Sequence, residues 1–191
     1  VAQHIACLRP MQTVAQQLLS HTLTVSPTPS QLKHAQDVFG NHRSFVSLQI
    51  PHTQLKVIAA STVLTRSVTM ECVAQPWEQA ADHFRYRANG HYDADVEFVF
   101  ASQHVPRHAE FAAYAQASFG PGADLHAATL DLMHRMHQDF EYDSESTEVH
   151  TPAREALQQR KGVCQDFAHI MIACLRSLGL SARYVSGYLL T

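Results

Sequence analysis

The spacing of apolar residues changes its period about halfway along the chain, and this change constrains the fold more than any other feature. Alternation with period two, typical of strands with one buried face, recurs through the first hundred residues. It occurs at 19–25, 46–50, 55–59 and 96–100, with turn signals at 27–30 and 39–41. We therefore predict an antiparallel β module over residues 1–103.

Beyond residue 105 the apolar residues recur every three or four positions instead. This spacing predicts four helices. The first spans 111–115, the second follows the N-cap residue Asp124, the third begins with Pro152, and the fourth spans 163–178 and is closed by Gly179. A strand over Ala182–Leu190 is expected to follow. The fold class is therefore α+β, with residues 104–191 as a helical layer that leads into a sheet.

Composition excludes several classes of protein. Hydrophobic residues make up 46% of the 191 residues and charged residues 16%, which is typical of a globular protein with a core and not of a disordered chain. The net charge of −3 provides no positive field for a phosphate backbone, so no nucleic-acid partner is expected. The longest apolar run, Ile170–Leu175, is too short to cross a bilayer, so no membrane partner is expected either.

The four cysteines contain no C-x-x-C pair, which favours a reducing compartment and a cytoplasmic location. No signal peptide is visible, but the chain begins with Val1 and is expected to be trimmed at both ends. Histidine is frequent, with 14 residues, which we interpret as composition bias.

The segment Gly162–Asp166 places a cysteine, Cys164, in the first turn of the last predicted helix. The partial positive charge and unpaired backbone N–H groups of a helix N-terminus favour a thiolate there, and the same N–H groups can stabilise an oxyanion. Cys164 is therefore a candidate nucleophile. The alternative is a small apolar residue on a core helix, which is the interpretation we favour for Cys174.

Gly162–His169, continued by residues 175–180 and 182–188, resembles the cysteine segment of bacterial transglutaminase-like cysteine proteases. The stretch 139–143, with Thr147 and Thr151-Pro152, is similar to the lead-in of that family, and 16–21, 37–41 and 76–78 are similar to its β-rich N-terminal region. The resemblance covers most of the chain. It implies a bacterial transglutaminase-like N-terminal region over 1–103 and part of a papain/transglutaminase-like core, up to its first strand, over 104–191.

By this resemblance, Cys164 attacks an amide carbonyl of a protein or peptide substrate, in a peptide bond or a glutamine side chain, and forms a thioacyl enzyme. No cofactor and no metal are implied. Gln158 stands at the spacing of a papain-type oxyanion glutamine, and Gln165 and Asp166 are candidates for supporting roles.

The resemblance also implies a histidine and a carboxylate on strands downstream of the cysteine helix, and neither segment occurs before Thr191. This chain by itself is therefore expected to be inactive. Its last strand should expose an edge, through which copies of the chain could associate. The competing hypothesis is a non-catalytic binding module on a degenerate transglutaminase-like scaffold.

Other residues with chemical potential receive simpler interpretations. His169 lies five residues beyond Cys164 on the same helix and is expected to point away from it, and His150 is expected to be a solvated loop residue. Trp77 is expected to anchor the two halves of the chain, residues 1–103 and 104–191, to each other. Three histidines share one helix face, but without a further ligand we expect a polar surface there and not a metal site. These are His126, His134 and His137.

Overall fold

The computed structural model describes residues 1–68, 73–85, 87, 88, 93–143 and 151–188. The described residues up to 68 form one compact unit, called the β unit below, and those from 73 to 188 form a second, called the helical unit. Among the described residues, no helix is both long enough and apolar enough to cross a membrane.

The β unit consists of two antiparallel sheets. Its strands are β1 (Ala2–Ala6), β2 (Gln16–Ser26), β3 (Gln31–Gln36), β4 (His42–Leu48) and β5 (Lys56–Thr65). One sheet has the order β1-β4-β3, and the other pairs β2 with β5. A small core lies between them, formed by Val25, Val46 and Leu48.

The pairing of β2 with β5 corrects one prediction about the inward face. The register of the two strands shifts between Leu18 and Ser20, so Leu19 is an extra residue at a β-bulge and is 57% exposed. After the bulge, His21, Leu23 and Val25 keep the inward alternation. Ile50, predicted to continue the buried face of β4, lies beyond the strand and is exposed.

The helical unit contains five helices, one 3₁₀ segment and two short strands within its described residues. They are α1 (Trp77–His83), a 3₁₀ helix (Ala94–Val99), α2 (Ala109–Gln116), α3 (Leu125–Asp139), β6 (Glu141–Tyr142), α4 (Ala153–Gln159), β7 (Lys161–Gly162) and α5 (Cys164–Ser177). Asp124 caps α3 as predicted, since its carboxylate accepts a hydrogen bond from the N–H of Ala127 at 2.9 Å. Pro152 occupies the N-cap of α4, one position before the predicted one.

The core of the helical unit lies between α2, α3, α4 and α5. Its fully buried side chains include Phe111, Phe119, Leu132, Ile170 and Cys174. The apolar spacing predicted these positions correctly on α2, α3 and α5, because one face of each helix is covered by the others. At its end, α5 is closed by Gly179 at a φ of 84°, as expected of a C-terminal glycine.

Two predicted strands are absent from the described residues. Residues 94–99 form a 3₁₀ helix because Asp93 accepts a hydrogen bond from the N–H of Asp95 and starts a turn. Residues 182–188 carry no strand, and the N–H of Ala182 bonds instead to the carbonyl of Phe98. The predicted strand edge for self-association is therefore not formed there, and positions 189–191 lie outside the described residues.

The described residues between 73 and 103 contact the helices that follow position 103. Trp77 donates its Nε1–H to the carbonyl of Gly120 at 2.9 Å and packs edge-on against Phe119. Arg176 donates to the carbonyl of Phe100 at 2.7 Å. Trp77 thus joins two segments within the helical unit, which begins ahead of α1, and the prediction that it anchors the two halves of the chain to each other is not confirmed.

Candidate active site

Cys164 is the first residue of α5, and its side chain is exposed. The approach to the helix is fixed by β7, which pairs in parallel with β6, and by extended backbone at Val163. The first intrahelical hydrogen bond runs from the N–H of Phe167 to the carbonyl of Val163 at 3.1 Å. The first-turn N–H groups of a helix have no partner inside it, so the thiol stands beside backbone donors.

Asp166 closes the N-terminus of α5. Its Oδ2 accepts a hydrogen bond from the backbone N–H of Val163 at 2.9 Å, which is one half of a capping box, and the residue is only 7% exposed. Valine has no side-chain acceptor, so the reciprocal bond of the box is not made. Asp166 therefore stabilises the start of α5.

Gly162 is required by this carboxylate. A Cβ atom at position 162 would lie 2.7 Å from Oδ2 of Asp166 and 3.0 Å from its Cβ. Contacts this short are repulsive, and both residues are buried. The glycine before the cysteine thus lets the chain pass against the capping residue.

A stack of three aromatic rings and one guanidinium, which could not be predicted from the sequence, packs against the first turn of α5. Phe167 packs edge-on against Phe140, which packs edge-on against Tyr114, with centroid distances of 5.6 and 5.9 Å. The Arg160 guanidinium lies 4.3 Å from the Tyr114 ring centre and 4.9 Å from that of Phe140. Arg160 has a left-handed backbone, with φ 57°, at the end of α4.

Tyr114 is tied into this stack by its hydroxyl group. The O–H donates to Oδ2 of Asp139 at 2.8 Å. Burial, followed by this hydrogen bond, raises the pKa of Tyr114 to about 12, so the phenol stays protonated. A basic residue at a helix C-terminus was the only signal in the sequence, and it does not reveal which rings Arg160 contacts.

The structure places the two candidate glutamines differently. Gln165 follows Cys164 in the first turn of α5 and is exposed. Gln158 lies on α4 and donates its amide to Oε2 of Glu110 at 2.9 Å. Arg154 donates to the other oxygen of the same carboxylate at 2.7 and 3.2 Å. The amide of Gln158 is thus used to join α4 to α2.

His169 belongs to a separate cluster of rings. It stacks on His104 with a centroid distance of 5.4 Å and 6° between the planes, and it also contacts Tyr184. Burial first, and then the neighbouring His104, lower the pKa of His169, while Asp166 acts in the opposite direction. His150, the other candidate base, lies outside the described residues.

Within the described part of the chain, the Cys164 thiol has no hydrogen-bond partner. Cys174 is buried in the core, and burial raises its thiol pKa to about 12, as expected for an inert packing residue. Cys7 is exposed in the β unit and offers an internal comparison for reactivity.

No group of three or more His, Cys, Asp or Glu side chains in the described ranges is arranged to hold a metal ion. The three histidines of α3 are exposed on its surface: His126, His134 and His137.

Comparisons with known proteins give the same assignment for both parts of the chain. Residues 1–64 match the family model described as the bacterial transglutaminase-like N-terminal region, and residues 112–191 match that of the transglutaminase-like superfamily. An uncharacterized protein of Mycobacterium tuberculosis is 35% identical over an alignment of 189 positions that covers 96% of this chain and 59% of the relative. One from Mycobacterium leprae is 27% identical, with 96% and 63% covered.

A solved structure shares the fold. It is the crystal structure of a protein from Cytophaga hutchinsonii described as a "putative cysteine protease", with a TM-score of 0.66 and 23% identity over 92% of this chain and 58% of that one. The chain thus spans less than two thirds of the length of these proteins. The two family models match in order along the chain, so residues 1–64 and 112–191 together place it in the transglutaminase-like superfamily.

Proposed function

We propose that this chain is the cysteine-bearing part of an enzyme that transfers acyl groups from amide bonds through a thioacyl intermediate on Cys164. The observation that carries the proposal is the exposed thiol at the first residue of α5. The superfamily match over residues 112–191 supports it. The substrate class is a protein or peptide, attacked at a peptide bond or at a glutamine side chain.

The chemistry assigns one step to each group. The thiolate sulfur of Cys164 bonds to the carbonyl carbon, and the carbon–nitrogen bond breaks as the amine leaves with a proton. Backbone N–H groups of the first turn of α5 are placed to stabilise the oxyanion that forms in between. Water then releases an acid, or a second amine forms a new amide. Gln165 is the side chain closest in sequence to the reacting sulfur and remains a supporting candidate.

Asp166 and Gly162 act as positioning residues in this proposal. The carboxylate bonds to the N–H of Val163 at 2.9 Å and fixes the turn that presents the thiol. Gln158, held by Glu110, joins α4 to α2 in this structure, so an oxyanion role for it requires that this bond be released.

If no histidine acts on the sulfur, the leaving group of the substrate determines whether Cys164 can be acylated. An amine leaves an amide only when it is given a proton, which is the task of a general acid. A p-nitrophenolate leaves without one. We therefore expect the chain to be acylated by a p-nitrophenyl ester at Cys164 and to leave peptide amides intact.

The test is mass-spectrometric mapping of acylated cysteines after a short reaction of the folded chain with p-nitrophenyl acetate at about neutral pH. Cys164 should be acylated about tenfold faster than the exposed Cys7, and the buried Cys174 should not react. The matched variants are Cys164→Ala, which should abolish the fast phase of p-nitrophenolate release, and Cys7→Ala, which should retain it. Equal rates at Cys164 and Cys7 would refute the nucleophile assignment and favour a non-catalytic binding module.

A further inference from the structure

The β unit contains a cavity that the proposed acyl-transfer chemistry does not use. It has a volume of about 150 Å³ and lies at one end of the space between the two sheets. Its lining combines five basic or imidazole side chains with one aliphatic and one hydroxyl side chain: Arg9, His21, His34, His42, Arg43, Leu23 and Ser44. All of them belong to the described residues 1–68, and none of the lining residues is acidic.

The strand registers bring these side chains together. On β2, His21 follows the inward-facing Val25 and Leu23 along the same face of the strand. Across the facing sheet, His34 of β3 pairs with Ser44 of β4, two positions before the buried Val46. The core between the sheets is therefore aliphatic at one end and changes to imidazole groups at the other.

The histidine rings are oriented by hydroxyl groups. Nδ1 of His21 lies 2.8 Å from Oγ of Ser61, and Nδ1 of His34 lies 2.9 Å from Oγ of Ser44. Among the described residues, the Nε2 atoms of these two rings have no hydrogen-bond partner. Each ring thus keeps one nitrogen available for a ligand.

The balance of charge in the cavity is positive. Burial first, and then the neighbouring Arg9, His34 and His42, lower the pKa of His21. An acid lies beside these groups, since Oδ2 of Asp37 is 2.8 Å from Nη2 of Arg43. Burial would raise the pKa of Asp37, but hydrogen bonds from Asn41 and Phe39 and the charge of Arg43 lower it, so it neutralises one of the two arginines.

Arg43 also carries an unsatisfied donor. Its Nε atom is buried and has no hydrogen-bond partner within the described residues. A buried N–H without an acceptor is costly, but this atom has almost no accessible surface, so a ligand in the cavity would meet the exposed part of the Arg43 side chain instead. Arginine and imidazolium groups bind tetrahedral oxyanions through charge-assisted hydrogen bonds.

We propose that this cavity, bounded by Arg9, His34 and Arg43, is a binding site for a small tetrahedral dianion such as phosphate, free or carried as a small monoester. The available volume suits one such group and does not suit an extended chain. The site is independent of Cys164, because all its residues lie in the β unit.

The experiment measures anion binding to the whole chain by isothermal titration calorimetry, with sodium chloride at matched ionic strength as reference. Sulfate is the first probe because it stays a dianion across the pH range of histidine. Protonation of the histidines should tighten sulfate binding about tenfold or more between about pH 8 and pH 6. Inorganic phosphate and glycerol phosphate, compared at about pH 8 where both are dianions, distinguish a free anion from an esterified one.

Two site variants and two matched controls separate the site from general surface charge. Arg9→Gln should weaken binding about tenfold, because a charge-assisted contact is lost, and the His34→Gln/His42→Gln pair should remove the pH dependence. Arg9 and His34 are exposed at the rim, so these variants should fold. Arg66→Gln and His52→Gln, exposed in the same unit, are the matched controls and should bind as the unaltered chain does. A chain that binds none of the three anions, or variants that bind like the controls, would overturn the proposal.

Discussion

Replacing Gly162 by alanine tests whether the start of α5 is held as the structure shows. The added Cβ would lie 2.7 Å from Oδ2, 3.0 Å from Cβ and 3.2 Å from Cγ of Asp166. Asp166 is only 7% exposed and bonds to the N–H of Val163, so it cannot move without losing that bond. Loss of an N-terminal cap costs about 1 kcal/mol and overpacking about 1–3 kcal/mol. We expect Gly162→Ala to lower the free energy of unfolding by about 2–4 kcal/mol.

Urea unfolding followed by circular dichroism measures this change. Gly120→Ala is the matched control, because a Cβ there meets nothing within 4 Å, and it should change the free energy of unfolding by less than about 0.5 kcal/mol. A double-mutant cycle with Asp166→Ala locates the cause. In the Asp166→Ala chain the Oδ2 and Cγ contacts no longer exist and the cap is already lost. The double variant should therefore be destabilised by about 1–3 kcal/mol less than the sum of the two single variants. A Gly162→Ala chain as stable as the Gly120→Ala chain, or strict additivity in the cycle, would refute the reasoning.

Two further predictions concern buried polar groups of the helical unit. Arg176→Lys should lower the free energy of unfolding by about 1–3 kcal/mol, which urea unfolding measures. The reason is that one ammonium group cannot replace the guanidinium, which donates to the carbonyls of both Ala182 and Phe100. The pKa of His169 is lowered in the folded state, chiefly by burial and then by His104, so the unfolded chain binds the proton more readily and stability falls as the pH drops through 6.5. His169→Gln should reduce this loss of stability in urea titrations between about pH 7.5 and pH 5, and an unchanged pH profile would contradict the assignment. The matched controls, both at exposed positions, are Arg107→Lys and His126→Gln.

The helices could be predicted from the sequence because their signals are local. Asp124 caps α3, Gly179 closes α5, and the apolar residues between such markers repeat with the helical period. The strands were harder to predict from the sequence. β3, Gln31–Gln36, has every residue exposed and so shows no alternation, and only its pairing with β4 makes it a strand.

The alternation of apolar residues gave a wrong prediction in two places, in one because of a local hydrogen bond and in the other because of an inserted residue. Residues 96–100 alternate in polarity, but Asp93 starts a 3₁₀ turn just before them. Leu19 continues the pattern of β2 in the sequence and is turned outward by a bulge, which depends on the partner strand. Neither effect can be read from hydrophobicity, because one depends on a side-chain acceptor and the other on pairing far along the chain.

At the candidate site, the position of Cys164 could be predicted and its support could not. A glycine followed two residues later by cysteine at a helix start is visible in the sequence, and so is an aspartate two residues further on. The stack of Phe167, Phe140 and Tyr114 with Arg160 draws on α2, the end of α3, the end of α4 and α5. Such a contact set exists only after the helices have packed.

Two independent devices therefore fix the turn that carries the thiol. Asp166 acts on the backbone of Val163 from within α5, and the stack acts on Phe167 from the neighbouring helices. A residue held only by its own loop would move with that loop, whereas Cys164 shares the rigidity of the helical core. Precise placement of a nucleophile before any substrate arrives lowers the entropic part of the barrier to its reaction. The packing of this turn is therefore consistent with the proposed role of Cys164 as a nucleophile, whose thiol would be held in place before substrate binds.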